Sequence, residues 1–298
     1  MVKIVVNKER AVEVSRAAIS MLERKVFPFN QPDIFPDAIV PEWIEKGSVE
    51  HAFLITYGYL TDSMRKAVKV YRAIRDISKE RKLSTLCYLS EREIEKLIER
   101  HLEKGNGKGT IGEPAKAIHY NSMRIEHDYG NNPVNIKQET MEKTLEELTG
   151  RKGKAKNFFH VGEGKAALIM KNFVRFGFWD FSPYEIPIKV DRHIIRISLG
   201  AGVIEVPDSE NIRANTLAKY LTQVYREVTS EERISAVDLN DALWAIGSYL
   251  CLRNRHEHCS LNCDIRCTRR PYSDPNASLY QINTDKRKGD KSQQVLQF

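Results

Sequence analysis

The chain has 298 residues, of which 41% are hydrophobic and 29% charged, the composition of a globular protein with a substantial core, which excludes general disorder. Its length exceeds that of a usual single domain and is read here as two. A formal net charge of +7 and a pI near 9.0 favour a polyanionic partner, although a solvated basic surface accounts for the same charge.

Part of the excess lies in the tail. Residues 268–298 carry six basic side chains, Arg269, Arg270, Lys286, Arg287, Lys288 and Lys291, against Asp274, Asp285 and Asp290. The apolar run at the N-terminus is too short for the core of a signal peptide, and no segment reaches membrane-spanning length, so an intracellular protein without membrane contact is expected.

Apolar residues recur at three- and four-residue spacing over Ala11–Leu22, Met64–Ser78, Ile94–Leu102, Ala115–Ile125, Thr140–Leu148, Lys165–Phe176, Ile212–Val228 and Leu239–Tyr249. No stretch alternates well enough for a large sheet, and no internal repeat is present, so the fold is expected to be all-α. Ser90 followed by Glu93 has the form of a capping box, and Asp238 before Leu239 that of an N-cap. Pro28–Pro41 reads as an ordered strap and Lys104–Gly109 as a flexible basic loop. The polar segment from Arg270 onward is expected to be disordered.

Two local patterns carry chemistry. In Val161-Gly162-Glu163-Gly164-Lys165, two glycines open a fresh helix and permit a tight turn whose backbone N–H groups point outward, able to hold a phosphate. Phe158, Phe159 and Val161 before it, with Leu168 and Ile169 after it, pack such a turn between antiparallel helices as a helix-hairpin-helix. Lys152, Lys154 and Lys156 lie just upstream and suit a nucleic-acid backbone, or are simply solvated. His160 either faces that backbone or caps a helix.

The second pattern is a set of four cysteines, Cys251, Cys259, Cys263 and Cys267, spaced C-x7-C-x3-C-x3-C within 17 residues. In a reducing compartment this spacing points to a metal centre, either zinc or an iron-sulfur cluster. His256 and His258 are substitute ligands. Arg253, Arg255, Arg266 and Arg269 offer phosphate contacts or offset the thiolate charge. The fifth cysteine, Cys87, is expected in the core.

Between these patterns runs Val190-Asp191-Arg-His193-Ile-Ile-Arg196. It resembles the Val-Asp-x-His-x-x-Arg segment of the helix-hairpin-helix DNA glycosylase superfamily, whose endonuclease III branch also ends in a four-cysteine iron-sulfur loop. The order of hairpin, Val-Asp-x-His segment, long helices, a glycine-containing apolar helix and four cysteines is kept from about residue 130 to 267. The resemblance implies two helical lobes: a helical barrel over 45–175 that ends in the hairpin, and a lobe of 1–44 with 176–270 that carries a [4Fe-4S] cluster on the four cysteines. It further implies a monomer that holds double-stranded DNA in the cleft between the lobes and turns a damaged or mismatched base out of the duplex.

By sequence context Asp191 is a helix N-cap, and the resemblance implies that it is the catalytic carboxylate that stabilises an oxocarbenium-like sugar. Lys165 is the candidate for the lysine that, in bifunctional members, attacks the sugar and leads to strand cleavage by lyase chemistry. The family position falls on Gly164 or Ala166, one residue away, which on a helix is a rotation of about 100°. Gly162, Gly164, Lys152, Lys154, Lys156 and His193 are the DNA contacts that the resemblance implies.

The long aromatic connection Phe176–Tyr184 resembles that of archaeal 8-oxoguanine glycosylases. Its rings either stack on a flipped base or pack as a hydrophobic bridge. Tyr57, Tyr59, His51 and Asp62 occupy the family's position for a pocket-lining helix. The cysteine spacing departs from the C-x6-C-x2-C-x5-C of endonuclease III proteins. The competing reading is a noncatalytic iron-sulfur DNA-binding protein on the same scaffold; glycosidic cleavage on RNA is a third.

Overall fold

The structure, a computed structural model, describes residues 4–31, 34–35, 38–60, 67–102, 112–150, 158–206, 212–251, 263–265, 267, 282–283 and 295–296. The described residues are predominantly helical, as expected. They divide into two compact units, one of residues 1–34 with 187–298 and one of residues 35–186.

The first unit contains α1 (Lys8–Glu23), α8 (Arg192–Gly200), α9 (Ala214–Glu231) and α10 (Ala236–Ala245). Helix α1 begins where the Asn7 side chain accepts from the Arg10 amide at 2.9 Å, and it buries Ala11, Val14, Ala18 and Met21 on a single face. That face packs on α9 and α10, and α8 packs on the same two helices. In the buried seam, Ser198 of α8 and Tyr225 of α9 are joined by their hydroxyls at 2.9 Å. Two short strands, β1 (Val5–Val6) and β2 (Ile204–Glu205), pair antiparallel with Val5 opposite Glu205. Within the tail, β4 (Ile282–Asn283) lies parallel to β3 (Ile212–Arg213) and antiparallel to β5 (Val295–Leu296).

The N-cap of α10 lies three residues before the expected Asp238 cap. Ser235 is the N-cap and accepts from the Asp238 amide at 3.2 Å, which places Asp238 inside the first turn. The helix then widens into a π-turn, Ile246–Leu250, directly before Cys251.

The second unit is built around α2 (Val49–Leu60). Every residue from His51 to Leu60 is buried, so this helix has no polar face and its apolar period is lost in a continuous hydrophobic run. Around it stand α3 (Ala67–Glu80), a 3₁₀ turn at Leu83–Tyr88, α4 (Glu91–His101), α5 (Gly112–Tyr129), a 3₁₀ turn at Pro133–Ile136, α6 (Met141–Thr149) and α7 (Glu163–Arg175). Helix α2 packs on α3, α5 and α7. Gly58 lets α3 approach closely, because a Cβ there would lie 2.3 Å from the Tyr71 ring. The expected capping box opens α4: Ser90 Oγ accepts from the Glu93 amide at 3.4 Å and Glu93 Oε2 from the Ser90 amide at 2.8 Å.

The seams of the two units fall at 34/35 and 186/187, against the 44/45 and 175/176 expected from the sequence. The residues between those positions pack within the second unit. Trp43 donates to Ser78 at 2.9 Å, and Trp179, 1% exposed, donates to the Val134 carbonyl at 2.9 Å. Phe176 and Phe178 flank the His51 ring, with centroids at 4.4 and 5.3 Å, so much of the aromatic connection is interior packing of this unit. Cys87, expected in the core, is instead partly exposed. The 3₁₀ turn buries Leu83 and Leu86 and leaves Cys87 at its edge, with Sγ on the Ser84 carbonyl at 3.3 Å.

Candidate active site

In the second unit, α5 holds the expected hairpin. The buried Asn121 side chain pairs with the peptide of Phe159 through both its atoms: Oδ1 accepts from the amide at 2.7 Å and Nδ2 donates to the carbonyl at 2.9 Å. Phe158 is buried under the Arg124 guanidinium, 4.2 Å from the ring centre, while Arg124 also pairs with Glu147 of α6. His160 follows at φ +60°, a left-handed conformation uncommon for a side-chain-bearing residue, and its Nε2 meets Glu113 at 2.7 Å. Val161 and Ile169 are buried as expected, and α6 packs on α7.

Gly162 is the N-cap of α7 and has no side chain with which to satisfy the first amides. The amides of Lys165 and Ala166 both reach the Gly162 carbonyl at 3.0 Å, whereas those of Glu163 and Gly164 meet no acceptor among the described residues. A Cβ on Gly162 would meet nothing within 4 Å, so the glycine leaves the approach to these amides clear. Two unsatisfied N–H groups at a helix N-terminus can hold an anionic oxygen. Lys165, one turn on, is engaged elsewhere: its Nζ donates to the Leu60 carbonyl at the end of α2, at 3.0 Å. Lys152, Lys154 and Lys156 lie outside the described residues.

In the first unit, Asp191 is the N-cap of α8, as its context predicts. Its Oδ1 accepts from the amides of His193 at 2.8 Å and Ile194 at 3.2 Å, and among the described residues nothing donates to Oδ2. The carboxylate is thus fixed through one oxygen and open at the other, at a helix end whose dipole favours negative charge.

His193 is held as a neutral imidazole. Its Nδ1–H donates to the Gly247 carbonyl at 3.3 Å, which leaves Nε2 to accept from Arg192 at 3.4 Å. Burial lowers its pKa, outweighing the opposing pull of Asp191. The same Gly247 carbonyl accepts from Arg196 Nη1 at 3.1 Å, and that nitrogen also reaches the Cys251 carbonyl at 3.0 Å. The π-turn can come this close because residue 247 is glycine: a Cβ there would lie 2.7 Å from the His193 carbonyl oxygen. On α10, Asn240 completes the support, donating to the Lys189 carbonyl at 3.4 Å. Neither Gly247 nor Asn240 stands out in the sequence as a site residue; the glycine inside an apolar helix beside Cys251 is the one signal that could have found it.

Of the four cysteines, Cys251, Cys263 and Cys267 are described, partly exposed and in no disulfide, and Cys259 lies outside the described residues with His256, His258 and the arginines of that loop. Among the described residues no three histidine, cysteine or acidic side chains form a metal-binding group. The segment around Cys263 is anchored on α1: the Asp264 amide meets Met21 Sδ at 3.4 Å, Arg24 pairs with the Asp264 carboxylate, and Ile265 is buried.

Among the described residues, no helix is long and apolar enough to cross a membrane. No family model and no curated protein sequence match the chain. Among solved structures, an endonuclease III trapped as a covalent intermediate with DNA is 14% identical, with a TM-score of 0.49 over 83% of this chain and 89% of that one. A thermostable thymine-DNA glycosylase is 18% identical, with a TM-score of 0.53 over 87% of this chain and 97% of that one. The chain has the fold of this thymine-DNA glycosylase over nearly that protein's whole length.

Proposed function

We propose that the protein is a DNA glycosylase of the helix-hairpin-helix type that hydrolyses the N-glycosidic bond of a damaged or mismatched base turned out of double-stranded DNA. The observation that carries this reading is the half-satisfied carboxylate of Asp191, on a chain that shares its fold with a structure named as a thymine-DNA glycosylase. As the bond from C1′ to the base nitrogen breaks, its electron pair leaves with the base and positive charge grows on the sugar. The open Oδ2 of Asp191 stabilises that charge, and a water oxygen then bonds to C1′ while its proton passes to the departed base, which holds the electron pair of the broken bond. Because Oδ1 is already fixed by two amides, little reorganisation is needed as the charge develops. In this scheme the Glu163 and Gly164 amides bind a DNA phosphate, with Gly162 leaving the approach open and Lys152, Lys154 and Lys156 adding sequence-independent attraction. His193, neutral and tied to Gly247, holds the N-terminus of α8 close to the DNA.

Lys165 has no place as a nucleophile in this scheme. A Schiff base requires an amine directed at the sugar, whereas this Nζ is turned to the Leu60 carbonyl. The proposed activity is therefore hydrolytic, without strand cleavage. Cys251, Cys259, Cys263 and Cys267 would hold a [4Fe-4S] cluster, with zinc as the alternative; the donor chemistry fits, since three of the thiols are described and none is spent in a disulfide. Such a centre supplies no step of hydrolysis: it would cross-link the loop that follows the π-turn. An iron-sulfur protein is brown and carries iron and sulfide, and a zinc protein is colourless.

The test is base release from duplexes bearing mismatches, oxidised or alkylated bases, with matched DNA and RNA as controls, followed by borohydride trapping. Release without a trapped adduct is expected. A borohydride adduct lost in Lys165→Ala would overturn the hydrolytic assignment, and absence of release from every duplex would favour the noncatalytic DNA-binding reading.

A further inference from the structure

The turn that opens α7 carries an imidazole–carboxylate pair. His160 lies two residues before Gly162, between the Phe159 peptide that Asn121 holds and the Glu163 and Gly164 amides. At φ +60° it occupies a backbone conformation that glycine adopts freely and a side-chain-bearing residue rarely does, so the turn alone gives no reason for an imidazole here. The ring packs tilted on Phe159, with centroids 4.4 Å apart, and its Nε2 meets the carboxylate of Glu113, in the first turn of α5, at 2.7 Å. A carboxylate only accepts, so Nε2 carries the hydrogen of this bond. The pair is open to solvent, with the His160 side chain 33% and that of Glu113 47% exposed, and an exposed pair adds little to stability.

We propose that His160 is a ligand for the DNA backbone that Glu113 holds in check. In the free protein Nε2–H donates to Glu113; on the duplex it leaves that carboxylate and donates to a phosphate oxygen next to the Glu163 and Gly164 amides. One anionic acceptor replaces another, so the N–H is satisfied in both states and only the difference between the two bonds contributes to affinity. Glu113 is thus an autoinhibitory contact, which competes with the phosphate for a single hydrogen. The proposal rests on the reading of this hairpin as the seat of a duplex phosphate, and adds to it one side chain that strengthens the grip and one that weakens it.

The experiment reads binding, so that it does not depend on turnover. The full-length protein, with its metal as isolated, is titrated with an undamaged, fluorescently labelled duplex at one physiological salt concentration, and each variant is also melted alone. Glu113→Ala releases Nε2–H and should tighten duplex binding roughly twofold to fivefold, the strength of the exposed pair that is lost. His160→Gly suits the left-handed turn, so its melting midpoint should stay within about 4 °C of the wild type or rise. Its duplex binding should weaken about threefold to tenfold. The effects should not add: once His160 is glycine, Glu113→Ala should leave binding unchanged, because no hydrogen remains to release. Four results would overturn the proposal. Glu113→Ala that fails to tighten binding, or a larger fall in the His160→Gly midpoint, would make the pair a structural brace. Unchanged binding in His160→Gly would mean that the imidazole meets no phosphate, and equal tightening by Glu113→Ala with and without His160 would make Glu113 a bare charge. No duplex binding by the wild type would sink the phosphate reading of the hairpin along with the proposal. Failure of the glycosylase reading would show separately, as base release unaffected by Asp191→Asn.

Discussion

Gly247→Ala is expected to disturb the proposed active site from a buried position. The new Cβ would sit 2.7 Å from the His193 carbonyl oxygen and 2.9 Å from both its carbonyl carbon and its Cβ. None of these atoms can rotate away, so α8 and the π-turn must separate. Overpacking of this kind costs about 1–3 kcal/mol. Separation also strains the bonds from His193 and Arg196 to the Gly247 carbonyl, each worth about 1 kcal/mol. Together these give a loss of roughly 2–4 kcal/mol, or a fall in melting midpoint of roughly 5–15 °C. Because His193 supplies one of the two amides that fix Asp191, the cap should move with it, and a displacement of about 1 Å would slow base release by about a hundredfold. Thermal melting followed by circular dichroism and single-turnover base release measure the two effects. A variant that melts within about 2 °C of the wild type and releases base at the same rate would refute the reasoning.

Asn121→Ala removes both bonds to the Phe159 peptide and should cost about 2–4 kcal/mol, measured by denaturant unfolding, while weakening binding to undamaged duplex because the hairpin loses its seat on α5. His51 gives a pH signature: burial, with a smaller contribution from Lys46, pushes its pKa from 6.5 down to about 4. Between those values the unfolded chain binds a proton that the folded protein does not. Stability contributed by neutral His51 is therefore full above about pH 7 and falls as the pH drops towards 4, by on the order of 3 kcal/mol, then levels off. His51→Gln should remove that part of the acid sensitivity, read as a flatter plot of unfolding free energy against pH over the same range.

Much of the helical framework was legible because its helices are amphipathic: α1, α4, α6, α7 and α9 each show a polar face, and their periods appear in the sequence within a few residues of their ends. Periodicity could not reveal α2, since ten consecutive buried residues leave nothing to alternate. Its place was legible only through the family resemblance. The Asp238 cap was misread because Ser235, three residues earlier, offers the better-placed hydroxyl. The hairpin and the cap at Asp191 were legible as local motifs. Their supports were not, because Asn121, Asn240 and Gly247 act on residues about 40 to 50 positions away in the chain, where only the fold brings them together. Lys165 shows the same limit: the family resemblance suggests a nucleophile there, and the Leu60 carbonyl to which its Nζ donates is 105 residues distant.

The most direct test is single-turnover base release by Asp191→Asn, measured beside duplex binding on a substrate found by screening mismatched and damaged duplexes. The amide oxygen can still accept from His193 and Ile194, so the cap and the fold should persist and DNA should bind as before. The charge that stabilises the sugar is lost, and release should fall by about a hundredfold or more. Release at the wild-type rate from a folded, DNA-binding Asp191→Asn protein would contradict the account.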